Sequence, residues 1–144
     1  MCGERIVFVS LRFFVYGTLL PGEANHDLFL RGRTGPEEPG RLNGAVLYDG
    51  PGYPYAVEER GGVVYGELVT ARPERYEELL ADLDRLEEYA PGAPHNLYER
   101  VEREVHRDGD APPVRAWVYV AAPAVAARLR ARGKLIESGD WRLR

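Results

Sequence analysis

Phe13-Phe14-Val15-Tyr16-Gly17-Thr18-Leu19 is the stretch from which the rest of the chain is read. Its first three residues have the aromatic and β-branched content of a buried strand. The run stops at Gly17, and Pro21-Gly22 follows closely. A strand ending in Gly-Thr presents bare backbone at a sheet edge or a barrel mouth. Without a Cβ, Gly17 lets a ligand approach the neighbouring N–H groups. Consecutive N–H groups in such a turn can hold a carboxylate or a developing oxyanion. The plainer reading is a strand followed by a turn, and four residues do not decide between the two.

Working outward, the flanking segments alternate between strand and helix signals. Asn25 is placed to cap a short helix and Gly32 to end it. Residues 33–39 are rich in Gly, Pro and Glu and read as a loop, before a strand over 42–48. After a turn at Asp49-Gly50-Pro51-Gly52, Tyr53 to Val57 reads as an edge strand, because Pro54 cannot donate to a ladder. Glu58-Glu59-Arg60-Gly61-Gly62 carries a hairpin signal before a strand over 63–69. Pro73 opens a helix expected to run to Glu88. Strands are expected over 98–106 and 115–120, and a helix from Pro123 to Arg132 ended by Gly133, with Trp141 packing down the tail. Many short strands with two or three helices predict an α+β domain whose sheet is curled or closed, because closure removes edges. No linker or repeat divides the 144 residues, so 1–144 reads as one domain with 1–10 as an N-terminal extension.

The helix over 73–88 holds the second signal. Tyr76, Leu79, Leu80, Leu83 and Leu86 form one apolar stripe at about 100° per residue. Glu74, Glu77, Glu78 and Glu88 lie more than about 120° from its centre, and Asp82 and Asp84 about 100° away. Glu87 lies about 45° from the centre, in line with Leu80 and Leu83. A carboxylate facing apolar neighbours is costly unless paired, hydrogen-bonded or protonated. Desolvation raises its pKa, which suits a group that takes and gives a proton near neutrality. The competing reading has Glu87 bending out to water or pairing with Arg100.

Composition narrows the function classes. A net charge of −4 with no basic stripe argues against nucleic acid. The single cysteine, Cys2, excludes an internal disulfide. The apolar segment from Ile6 to Leu20 is interrupted by Arg12, lacks a cleavage signal and is too short to span a bilayer. A cytoplasmic protein with no membrane partner is the expectation. His26, His95 and His106 lack metal-ligand spacing, Ser10 and Ser138 lie in no nucleophile elbow, and no P-loop or dinucleotide fingerprint is present.

The ordered set of Phe14-Val15-Tyr16-Gly17-Thr18-Leu19 with Gly22 and Asn25-His26, Leu83-Asp84-Arg85-Leu86-Glu87, and Leu97-Tyr98-Glu99-Arg100-Val101 resembles the γ-glutamylcyclotransferase-like family. Its small γ-glutamylamine branch is closest in look. Tyr53-Pro54 and Ala116-Trp117-Val118-Tyr119 add weaker support, so the resemblance runs from Phe13 to Tyr119. It implies a small mixed β-barrel flanked by helices and an enzyme that cyclises a γ-glutamyl amine or amino acid to 5-oxoproline. It matches Glu87 to the family's catalytic glutamate, acting as general acid and base. Tyr16, Gly17, Thr18 and Leu19 match the loop that holds the γ-glutamyl group, and Tyr98 and Tyr119 become pocket candidates. The reaction is intramolecular, so it implies no metal, no cofactor and no protein nucleophile. Two departures stand out: Glu88, where many members carry glycine, and the long leader before Arg12. A non-catalytic pocket of the same fold, binding a small acidic metabolite or mediating an interaction, is the alternative.

Overall fold

The computed structural model describes residues 10–144; Cys2 and all of the expected 1–10 extension except its last residue, Ser10, lie outside the described residues. Strand β1 (Arg12–Val15) leads into the Tyr16–Leu19 turn and a one-turn helix, α1 (His26–Phe29). Strands β2 (Glu38–Tyr48) and β3 (Tyr55–Val69) follow, then a 3-10 turn over Pro73–Arg75 and helix α2 (Tyr76–Leu86). Strands β4 (Tyr98–Arg107) and β5 (Val114–Ala121), helix α3 (Pro123–Arg132) and the short strand β6 (Leu135–Ile136) complete the order.

The strands run β3-β1-β5-β4-β2, and β2 pairs again with β3, so five strands close into a mixed barrel. The β1–β5 pairing is parallel and the others are antiparallel. Strand β6 adds to β2 through Leu47↔Ile136 and Tyr48↔Leu135. The expected curled sheet and flanking helices are therefore present as a closed barrel with three helices.

Three local expectations change. Residues 58–62 do not turn a hairpin: Ala45↔Glu58 and Asn43↔Val63 both pair β3 with β2. The extra residues between them bulge out of one long strand. Strand β2 starts at Glu38, inside the expected loop, with Pro39 and Gly40 already in register with β3. Helix α2 ends at Leu86 rather than Glu88.

Helix α2 packs as its stripe predicts. Leu79 and Leu83 are fully buried, and Tyr76, Leu80 and Leu86 pack on the same core. Tyr76 ties the start of α2 to its surroundings: its hydroxyl donates to the Leu11 carbonyl at 2.9 Å and accepts from Trp117 Nε1 at 3.0 Å. The Asp82 carboxylate takes Arg33 at 2.6 Å and Asp84 takes Arg100 at 2.7 Å. Helix α3 ends at Gly133 as expected, and Trp141 is buried beneath the tail.

Candidate active site

A cavity of about 330 Å³ opens at the end of β1. The expected site residues Tyr16, Gly17, Thr18, Leu19, Glu87, Tyr98 and Tyr119 all line it. They come from four places: the turn after β1, the C-cap of α2, the first residue of β4, and β5.

The turn is pinned from outside. Asn25 donates its backbone N–H to the Thr18 carbonyl at 2.8 Å and its side-chain amide to Thr18 Oγ1 at 2.9 Å. Its side chain therefore holds the turn instead of capping α1, which has no side-chain cap. The Gly17 carbonyl accepts from Leu20 N–H at 3.0 Å. The N–H groups of Gly17, Thr18 and Leu19 donate to no described residue. The missing Cβ of Gly17 serves packing as much as ligand approach: a Cβ there would lie 2.7 Å from Pro54 Cδ.

Glu87 is the C-cap of α2, and its N–H returns to the Leu83 carbonyl at 3.0 Å. Helical periodicity thus reaches Glu87 even though the last helical residue is Leu86. The carboxyl is half-buried, and its removal from water pushes the pKa from 4.5 up to about 7. No described residue donates a hydrogen bond to it, and the expected rival Arg100 pairs with Asp84 instead. Glu88 does not face away, as the helical wheel extrapolates. It adopts φ 53°, and it too lines the cavity, exposed at its rim.

Of the phenols that line the cavity with Glu87, Tyr16, Tyr98 and Tyr119 direct their hydroxyl protons elsewhere. Tyr16 donates to the Tyr119 carbonyl and accepts from Ala56 N–H. Tyr98 donates to the Pro54 carbonyl at 2.7 Å and stacks on Tyr55 with centroids 4.7 Å apart. Tyr119 donates to Asp84 Oδ1 at 2.6 Å. Burial raises all three phenol pKa values, and the charge of Glu87 raises them further. Asp84 and Arg100 were not among the expected site residues. Their signal lay in the two motifs that carry them, one of them ending at Glu87.

A closed mixed barrel with a half-buried carboxyl and a spare-donor turn sharing one cavity defines the structural class. The sequence pattern of the family described as γ-glutamyl cyclotransferase, AIG2-like, matches residues 13–143. A Halalkalibacterium halodurans protein, provisionally named a γ-glutamylcyclotransferase, is 44% identical over 97 residues, covering 66% of this chain and 76% of that one. The γ-L-glutamyl-butirosin B γ-glutamyl cyclotransferase of Niallia circulans is 37% identical over 108 residues, 74% of this chain and 64% of that enzyme. Among solved structures, a mouse AIG2-like protein superposes with TM-score 0.63 at 25% identity, covering 79% of this chain and 80% of that one. Escherichia coli ytfP superposes with TM-score 0.60 at 28% identity, covering 91% and 96%. This chain belongs to the γ-glutamyl cyclotransferase, AIG2-like family.

Proposed function

We propose that this chain is a γ-glutamylcyclotransferase that releases 5-oxoproline from a γ-glutamyl amine or amino acid, with Glu87 as general acid and base. The observation that carries this reading is a single one. A half-buried carboxyl with a pKa pushed to about 7 and no donor among the described residues shares a cavity with three unspent backbone N–H groups.

The chemistry follows from that pairing. The α-ammonium of the substrate gives a proton to the Glu87 carboxylate, and the freed amine attacks the γ-carbonyl carbon. Holding both ends of one molecule in the cavity supplies the effective concentration. The carbonyl oxygen becomes an oxyanion, which the unspent N–H groups of the Gly17–Leu19 turn stabilise. The γ-carbon to nitrogen bond then breaks as Glu87 returns a proton to the leaving nitrogen. Two protons travel in turn from the α-nitrogen to the departing amine, which leaves as an ammonium. A carboxyl that titrates near neutrality suits both directions of transfer.

The cavity lining bears on the leaving group. Glu87 and Glu88 contribute the acids, and no lysine, arginine or histidine lines the cavity among the described residues. A leaving group carrying its own carboxylate finds no cationic partner there, whereas an uncharged or cationic amine meets no repulsion. The test is a panel of γ-glutamyl amines and γ-glutamyl amino acids, followed by mass-spectrometric detection of 5-oxoproline. Release from the amines, ahead of the amino acids, is the expected result. No 5-oxoproline from any panel member would instead favour a non-catalytic metabolite-binding pocket.

A further inference from the structure

The Leu83–Glu87 and Leu97–Val101 motifs each contain a charged residue that the mechanism above does not use: Asp84 and Arg100. The two meet in a bidentate pair, Arg100 Nε to Asp84 Oδ1 at 2.7 Å and Nη2 to Oδ2 at 3.2 Å. Both side chains are largely shielded, with 19% and 14% of their surface exposed, so this is not a solvated surface pair. The Arg100 guanidinium lies 4.3 Å from the Trp117 ring centroid and 5.4 Å from that of Tyr89. It is thus fixed in place by aromatic faces as well as by charge. Asp84 Oδ1 also accepts the Tyr119 hydroxyl at 2.6 Å. Asp84 lies three residues before Glu87, in the last turn of α2.

We propose that Asp84, held by Arg100, is a positioning residue: it accepts the hydrogen bond of the Tyr119 hydroxyl and so keeps that phenol from donating to the Glu87 carboxyl. A donor to the ionised carboxyl would stabilise that form and make it a weaker base. The groups that bear on Glu87 can be named element by element. They are Tyr16 from the turn after β1, Tyr53 from the segment before β3, Tyr55 from β3, Tyr98 from β4 and Tyr119 from β5, with Glu88 on its own segment. Tyr16 and Tyr98 are locked onto backbone carbonyls, whereas Tyr119 is held by a side chain, so its commitment depends on a replaceable residue. Trp117 Nε1 donates to Tyr76 and is occupied.

The inference rests on the reading of Glu87 as the proton-moving group, yet its test does not need turnover. Glutamate carboxyl carbons are labelled with carbon-13, and the Glu87 signal is recognised by its loss in Glu87→Gln. Its titration is then followed by NMR in the free protein and, where 5-oxoproline is formed, compared with the acid limb of kcat/KM. Asp84→Ala frees the Tyr119 hydroxyl, and the Glu87 midpoint should fall by about one pH unit. Adding Tyr119→Phe to that variant should restore the midpoint, because no hydroxyl remains to turn. Asp84→Asn keeps an acceptor oxygen and should leave the midpoint in place. Asp84→Ser is too short to accept from Tyr119 but can hydrate Arg100, and carries the same expectation where the alanine variant fails to fold. An unmoved midpoint in a folded Asp84→Ala or Asp84→Ser protein overturns the proposal. So does a fall that persists with Tyr119→Phe, since that assigns the effect to the unpaired Arg100 charge. Absence of 5-oxoproline together with the expected titrations would count against the cyclotransferase reading and leave the positioning role standing.

Discussion

The backbone N–H of Tyr89 reaches back to the carbonyl of Asp84 at 2.8 Å, closing the C-terminus of α2 directly behind Glu87. The N–H of Glu88 donates to the Arg85 carbonyl at 3.1 Å, and Glu88 sits at φ 53°. These two bonds with a left-handed residue between them are a Schellman termination, in which that residue is usually glycine.

Glu88 is the one non-glycine residue with positive φ among the described residues. A side chain there costs roughly 1 kcal/mol relative to glycine. Glu88→Gly should therefore raise the melting temperature by a few degrees, as about 1 kcal/mol does in a chain of this size. Glu88→Ala should leave it nearly unchanged, since alanine keeps the Cβ. Calorimetry showing the glycine variant less stable than the alanine variant would contradict this account of the helix end.

Gly17 lies against the ring of Pro54, where an added Cβ would fall 2.7 Å from Cδ and 2.8 Å from Cγ. Pro54 also supplies the carbonyl that holds Tyr98. Gly17→Ala must push this wall aside and should cost roughly 1–3 kcal/mol, the usual range for overpacking. Denaturant titration is the measurement. A change under about half a kcal/mol would show that the wall yields freely, as surface positions do.

Burial of Glu87 has a consequence for stability that is separate from catalysis. Its pKa rises from 4.5 to about 7 on folding, so between those values the folded protein keeps a proton that the unfolded chain has lost. The stability this contributes is fully present below about pH 4.5 and is lost as the pH rises through 7. Each pKa unit corresponds to about 1.4 kcal/mol; because the carboxyl is only half-buried, a loss of about 1–3 kcal/mol is expected. Glu87→Gln removes the titration. The variant should match the wild type near pH 4 and melt several degrees higher at pH 8. Parallel melting curves across this range would mean that Glu87 titrates as an ordinary exposed carboxylate.

Much of this was legible from residue patterns. The apolar stripe of α2 stands out because helical periodicity is local, and it singles out Glu87 one residue past the helix. The ends of α3 are marked by Pro123 and Gly133. Other features required partners distant in sequence. Residues 58–62 have the composition of a hairpin, and nothing local says that both flanking runs pair with β2 rather than with each other. Glu88 departed from the wheel because the chain turns left-handed there, which only tolerance of strain permits. Asp84 looked like a margin residue until β4 brought Arg100 and β5 brought Tyr119 to it. The role of Gly17 in accommodating Pro54 likewise depends on a contact across 37 positions.

The central claim is that Glu87 moves the proton, and turnover of Glu87→Gln tests it most directly. The amide keeps the size and shape of the side chain but cannot accept the α-ammonium proton. Glu77→Gln, an exposed acid on the outer face of α2, is the control. With the substrate that gives most 5-oxoproline, kcat for Glu87→Gln should fall by at least the ~10²-fold typical of losing a general base. Substrate binding should change little, and Glu77→Gln should keep wild-type turnover. Undiminished release of 5-oxoproline by a folded Glu87→Gln protein would contradict the account.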